Sequence, residues 1–230
     1  MTKETLLLTI AVLGGTGKEG KGLAYRWAKA GYRVVIGSRS SEKAVKAASE
    51  IMELLEGSSS VVGTTNIEAA DQADIAVLTV PYSAHRDTLE GVKSALKGKI
   101  LVDVTAPLVP PKLSKVQMPP AGSAAQEARE ILGEDVEVVA AFQSVSHEHL
   151  LGEEEIECDV LVTGSSKKAR EEVLRLVEAA NLIGWDAGPI ENSVVVEGLT
   201  SVLININRIY GSKHSGIKIT GVQKPSTEST

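Results

Sequence analysis

Short, mostly apolar runs punctuate the chain, and between them apolar residues return every three or four positions. The first runs are Leu6 to Leu13, Arg33 to Arg39, Val61 to Thr65, Asp74 to Pro81, Ile100 to Val104 and Val136 to Phe142. A run with little polar interruption suits a strand buried on both faces of a parallel sheet, and the three-to-four spacing suits a helix lying across it. Helices are expected after the glycines that follow Leu13, from a cap at Ser41 to about Glu56, from a cap at Asn66, from Ser83 to Leu96 and from Ser123 to Leu132. Gly57 to Ser60 reads as a loop. This alternation specifies an α/β fold, a doubly wound Rossmann-type sheet with mostly parallel strands.

Beyond the fifth run the rhythm breaks. Ala106 to Gly122 holds Pro107, Pro110, Pro111, Pro119 and Pro120 and no recognisable element. Such a segment leaving the carboxyl end of a sheet strand reads as a wall over a ligand site. Further on come a polar loop, a strand from Cys158 to Thr163, a helix from Lys167 to Ala180 and a strand from Ile183 to Asp186. The last helix, Glu191 to about Tyr210, is apolar nearly all round but carries Thr200, Ser201, Asn205 and Asn207. It is expected to be buried, between protomers, with its polar groups toward a ligand or partner. The chain thus divides into a Rossmann domain over 1–142, a smaller C-terminal α/β extension over 143–222 and a disordered tail over 223–230.

Composition narrows the function classes. A net charge of −6 argues against nucleic acid, whose phosphates call for clustered cations. The single cysteine, Cys158, excludes a disulfide framework and reads as a buried, inert thiol. Leu6 to Leu13 is too short to span a bilayer, and no basic targeting region precedes it, so a cytoplasmic protein without membrane contact is expected.

The chemistry concentrates where the first run breaks into Gly14, Gly15, Gly17 and Gly20. A strand that ends in a glycine turn and opens a helix aims backbone N–H groups and the positive helix end at one spot, which suits a pyrophosphate. The spacing Gly15-x-Gly17-x-x-Gly20 is the dinucleotide fingerprint. An acidic residue about 20 positions on would hold an unmodified ribose. Here that corner carries Ser38 and Arg39, with Lys43 one turn further and no carboxylate before Glu42. Cations there favour a 2′-phosphate, so the nucleotide is expected to be NADP(H).

Other constellations carry less. His147-Glu148-His149 has no second cluster to complete a metal site, so no metal is expected. Tyr25 and Lys29 have the spacing of a hydroxyl-chemistry pair but lie inside the first helix, away from any nicotinamide. No proton donor is evidently placed to assist reduction of a carbonyl or imine. Hydride exchange between two stacked ring cofactors asks mainly for proximity and orientation, so no catalytic side chain is assigned.

The ordered set Leu13-Gly-Gly-Thr-Gly-Lys-Glu-Gly-Lys-Gly-Leu-Ala24, Gly37-Ser-Arg39 with Lys43, Asp74 to Pro81, Pro107-Leu-Val-Pro110, Asp186-Ala-Gly-Pro189 and Gly216-Ile-Lys218 resembles the NADPH-dependent coenzyme F420 reductases (F420H2:NADP oxidoreductases). The resemblance implies hydride exchange between NADP(H) and the deazaflavin F420, in a homodimer, with the C-terminal part serving the deazaflavin and dimerisation. It implies that Gly15, Thr16, Gly17, Lys18, Glu19 and Gly20 hold the pyrophosphate side, and that Thr16, Ser38, Arg39 and Lys43 hold the 2′-phosphate. Pro81, Tyr82, Val109 and His147 would line the nicotinamide end, and Pro107, Gln143, Val145 and Thr200 the deazaflavin ring. Some members carry histidine where Gln143 stands and serine where Gly198 stands. Lys112, Lys115, Arg208, Lys213 and Lys218 are candidate partners for the anionic F420 tail. Two other readings of the residues stay open: an NADPH-dependent reductase of an imine, a 3-oxo acid or ferric iron, and an NADP(H) sensor without turnover.

Overall fold

The computed structural model describes residues 8–57, 60–152 and 156–222. Among these residues, strands β1 (Thr9–Leu13), β2 (Arg33–Ser38), β3 (Val61–Thr65), β4 (Ile75–Leu78), β5 (Ile100–Asp103), β6 (Glu137–Ala140), β7 (Asp159–Gly164) and β8 (Ile183–Pro189) alternate with seven α-helices except between β6 and β7, which a 3-10 turn joins. These are α1 (Lys18–Lys29), α2 (Ser41–Leu54), α3 (Asn66–Gln72), α4 (His85–Val92), α5 (Ala124–Leu132), α6 (Lys167–Ala179) and α7 (Ser193–Tyr210). All eight strands form one sheet in the order β3-β2-β1-β4-β5-β6-β7-β8. Every neighbouring pair is parallel except β6 with β7. The C-terminal strands therefore extend the first sheet rather than building a second one.

Alternation along each strand explains the two cores. Ile10, Val12, Ile36 and Val77 face α1, α2 and α6, while Ala11, Leu13, Val35 and Leu78 face the layer of α3, α4 and α5. Residues on both faces are fully buried, which is why the strands read as continuous apolar runs. Trp27 of α1, buried completely, donates its indole N–H to the Leu176 carbonyl of α6 at 2.9 Å. That bond and the packing around it join the N- and C-terminal parts in one core.

Several expectations are corrected in detail. The cap of α3 is Thr65, not Asn66: Thr65 and Glu68 form a reciprocal capping box, which frees the Asn66 side chain for the glycine turn. The helix expected from Ser83 to Leu96 is α only over His85–Val92, flanked by 3-10 turns at Tyr82–Ala84 and Lys93–Leu96. Cys158 precedes β7 rather than starting it, though it is buried, and burial pushes its thiol pKa up. Within the single chain, helix α7 is covered on one side, through Val196, Ser201 and Leu203, and exposed on the other, through Val195, Val202, Ile206 and Ile209. The tail assigned to 223–230 and the start of the first run lie outside the described residues. No described helix is long and apolar enough to cross a membrane.

Candidate active site

A cleft of about 860 Å³ opens at the carboxyl ends of the strands. It lies over β1 and β4, where the strand order reverses direction, the place at which open α/β sheets bind ligands.

The nucleotide end is built by the glycine turn. Gly14, at φ +71°, takes a conformation open to glycine but costly to most residues, and its N–H donates to Asn66 Oδ1 at 3.1 Å. Gly15 donates to the Gly37 carbonyl at 3.0 Å, tying the turn to the end of β2. A Cβ on Gly15 would sit 2.7 Å from the Val12 carbonyl oxygen, and one on Gly20 would sit 2.7 Å from the Gly15 Cα. A Cβ on Gly17 meets nothing within 4 Å, because it would project into the cleft. Gly17 caps α1 with no side-chain acceptor, so the first N–H groups of that helix are left for a ligand. Glu19 in the same turn is partly buried, and burial pushes its carboxyl up to about 8, so near neutral pH it carries little charge against an incoming phosphate.

Thr16, Gly17, Lys18, Glu19, Gly20, Ser38, Arg39 and Lys43 all line the cleft, whereas Gly15 lies behind it. Ser40, not Ser41, caps α2: its Oγ accepts from the Lys43 N–H at 3.4 Å, because Ser41 is already the first helical residue, and Lys43 and Arg39 both line the cleft rim.

At the other end, Pro81, Tyr82, Gln143, Val145, His147 and Thr200 line the same space. Tyr82 donates to Glu127 Oε2 at 2.7 Å, and Arg86 reaches Glu127 Oε1 at 2.7 Å. Burial and then the Glu127 bond raise the Tyr82 phenol far above its ordinary range, so it is a positioned hydrogen-bonding wall and no acid at neutral pH. The proline-rich segment forms a wall through Ala106, Leu108, Pro110 and Leu113. The two residues expected from it fall elsewhere: Pro107 is buried beneath that wall and Val109 is exposed outside it. On the far side, Thr200 of α7 donates to the Gln143 carbonyl at 2.9 Å, and Leu203, Ile204 and Asn207 continue the lining. Of the cations considered for an anionic tail, Lys213 lines the cleft; Lys218 bonds Glu157 at 3.1 Å and Arg208 bonds Asn205 at 2.9 Å, and neither they nor Lys112 and Lys115 line it.

Phe142, just before Gln143, has φ +74°, a backbone region that bulky residues rarely enter, and its ring packs edge-on against Trp27 at 5.8 Å. The turn sends the Gln143 side chain back under the cleft, where Nε2 donates to the Asp103 carbonyl at 2.8 Å. Sequence reasoning missed what stands there. Asp103 and His85 are buried completely or nearly so and paired at 2.7 Å, and Glu197 of α7, also buried, accepts from the Ala124 and Ala125 N–H groups at the start of α5. A carboxylate closing the apolar run of β5 was the one available signal; nothing local marked His85 or Glu197. Burial alone would lower the His85 pKa, but the Asp103 charge and hydrogen bond outweigh it and leave it raised. Burial and the Asp103 charge push the Glu197 carboxyl up to about 8 against its two N–H donors.

Comparison with known proteins places this geometry. Residues 9–107 match a family model described as NADP oxidoreductase coenzyme F420-dependent. The F420-dependent NADP reductase of Methanothermobacter marburgensis is 39% identical over 222 residues, covering 94% of this chain and 99% of that one. The chain belongs to the F420-dependent NADP reductase family. A second member, from Methanocaldococcus jannaschii, is 37% identical and covers 94% of this chain and 100% of its own. Among solved structures, a putative F420-dependent NADP reductase from Arthrobacter sp. FB24 superposes with a TM-score of 0.76 at 25% identity, covering 93% of this chain and 99% of that one. The chain is accordingly an oxidoreductase, and the family's span includes the α7 side of the cleft as well as the glycine turn.

Proposed function

We propose that the protein exchanges a hydride between NADP(H) and coenzyme F420, each held by one end of the cleft. One observation carries the reading: a single space joins an uncapped glycine turn with a Ser-Arg-Lys rim to a wall of Tyr82, Gln143 and Thr200. The donor set at the first end fits a dinucleotide with a 2′-phosphate. It offers backbone N–H groups at a helix start, room where Gly17 has no Cβ, a buried hydroxyl at Ser38 and two cations at Arg39 and Lys43. The second end offers flat and aliphatic surface in Pro81, Leu108, Val145 and Leu203 with a few polar groups, which suits a planar ring.

Once bound, the nicotinamide and the deazaflavin would supply the chemistry between them, a hydride exchanged ring to ring with one proton taken up or released to balance it. What this chain does is bind, orient and exclude water. The glycine turn and the Arg39 rim anchor one partner, the Tyr82 and Gln143 walls set ring orientation, and the proline segment covers the gap. In this reading the NADP site lies within 1–142, and 143–222 supply the deazaflavin side together with Pro81 and Leu108 of the first part. The exposed apolar residues Val195, Val202, Ile206 and Ile209 on one side of α7 fit a homodimer. Cytoplasmic residence completes the proposal.

The decisive experiment mixes the purified protein with F420 and NADPH, then with reduced F420 and NADP, and follows the deazaflavin absorbance. Exchange with NADP and not NAD is expected. NADPH turnover with an imine, a 3-oxo acid or ferric iron but none with F420, or tight NADP(H) binding with no exchange at all, refutes the assignment.

A further inference from the structure

We infer that the buried Asp103–His85 pair is the positioning device that fixes the separation of the two ring walls. The inference rests on the hydride-exchange reading above and goes beyond it by assigning a role to two residues that do not line the cleft.

Asp103 is the last residue of β5 and reaches three elements at once. Its Oδ2 meets His85 Nε2 at 2.7 Å, its Oδ1 accepts the Thr105 N–H at 3.0 Å, and its carbonyl accepts Gln143 Nε2 at 2.8 Å. His85 opens α4 directly behind the Tyr82 wall, and the Tyr82 and His85 rings lie 5.8 Å apart. Thr105 immediately precedes the proline segment, and Gln143 is the wall that follows β6. One side chain and its carbonyl therefore tie the nicotinamide wall, the cover and the deazaflavin wall together.

The pair is costly for a purely structural joint. The rest of β5, Ile100 to Val102, is apolar, and a well-packed apolar pair is often as stable as a buried ion pair, or more so. His85 Nδ1 and Gln143 Oε1 are both buried without a partner, which again marks a cluster arranged for something other than stability. What the pair secures is direction. Because a carbonyl can only accept, Gln143 must present its nitrogen to Asp103, and the amide cannot flip. Hydride transfer depends steeply on the donor-to-acceptor distance, so a displacement of about 1 Å between the walls costs about a hundredfold in rate. NADP affinity is set at the other end, by the glycine turn and Arg39.

The test compares His85→Leu, which removes the bond to Asp103, with His85→Gln, whose amide nitrogen reaches as far as the imidazole Nε2. In single-turnover mixing of NADPH with F420, His85→Leu is expected to lower the hydride-transfer rate about 10- to 100-fold. The NADP dissociation constant should stay within about threefold. The primary isotope effect with deuterated NADPH should become more temperature dependent as the rings sample longer distances, and His85→Gln should recover most of the rate. A merely structural role predicts instead a lower melting temperature with an unchanged isotope effect in the folded fraction, and no rescue. Should His85→Leu fail to fold, the isosteric Asp103→Asn repeats the comparison without the charge, with the same expectation of a slower step at unchanged NADP affinity. Nitrogen NMR supplies a readout independent of turnover: a His85 Nε2–H that is hydrogen-bonded and slow to exchange in the wild type, and exchanges faster in Asp103→Asn. Rates and isotope effects like those of the wild type in the folded variants, or a His85 Nε2–H that exchanges freely in the wild type, overturn the inference while leaving the function intact. No exchange in the wild type itself overturns both.

Discussion

Replacing Gly17 by alanine should abolish tight NADP binding while leaving the fold nearly untouched. The backbone there, φ −76° and ψ 170°, is open to alanine, and the new Cβ meets nothing within 4 Å. Losing glycine at a helix cap costs about 0.5–1 kcal/mol, and the reduced freedom of the unfolded chain returns about 0.4–1 kcal/mol. Stability should therefore change by less than about 1 kcal/mol, or roughly 2–4 °C in melting temperature for a chain of this size. The methyl group does, however, occupy the approach of a pyrophosphate to the uncapped start of α1. Losing one charge-assisted bond there costs about 1.5–3 kcal/mol, a roughly 10- to 150-fold weaker complex. Gly15→Ala gives the opposite signature, because its Cβ sits 2.7 Å from the Val12 carbonyl oxygen and forces the turn itself to move. Overpacking of that kind costs about 1–3 kcal/mol, so stability and binding should fall together. Calorimetric titration with NADP and thermal unfolding on the same preparations read both quantities. Wild-type NADP affinity in Gly17→Ala, or an unchanged melting temperature in Gly15→Ala, would show that the turn does not work this way.

Other consequences are as direct. Arg39→Ala should weaken NADP by about tenfold or more through the lost contact to the 2′-phosphate while leaving NAD binding as it was; equal losses for both dinucleotides, measured by titration, would remove the clamp. Glu197→Gln tests the buried carboxyl. Its folded pKa, about 8 against an ordinary 4.5, means that the native state holds more protons than the unfolded state across that window. Its contribution to stability should fall as pH rises from about 4.5 to 8, by up to about 1.4 kcal/mol per unit, and the glutamine variant should lack that component. Denaturant titrations at several pH values check this, and wild-type stability rising relative to the variant over the window would refute it. Arg26 of α1, buried, donates to the carbonyls of His149, Leu150, Gly152 and Ala180 and so pins the loop that carries His147. Lysine cannot fork in this way, so Arg26→Lys should cost about 2 kcal/mol or more; a variant of unchanged stability would show the loop to be held by other contacts.

Legibility in the sequence followed the range of the forces involved. The strands could be read because both faces of the sheet are buried, and the glycine turn could be read because close backbone approach leaves few residue choices: a Cβ on Gly20 would strike Gly15. That Ser38, Arg39 and Lys43 would meet at the cleft rim was readable because all three follow directly from the end of the strand beside the turn. What escaped notice depends on contacts between residues distant in the chain. Nothing near Asp103 in the sequence says that His85 and Gln143 will meet it, and nothing near Glu197 says that the start of α5 will be its partner. Pro107 and Val109 show the same limit from the other side. The segment was rightly read as a wall, but which of its residues face the cleft is decided by a packing phase that prolines in succession do not encode: Ala106, Leu108 and Pro110 face inward and the two between them do not. Helix α7, expected to be buried between protomers, depends on contacts beyond the single chain. Its composition resembles a buried helix because one side covers the cleft and the other, through Val195, Val202 and Ile209, presents an apolar stripe beyond the single chain. A helix that is apolar on two sides has two surfaces to satisfy, and in this fold the sheet supplies only one of them.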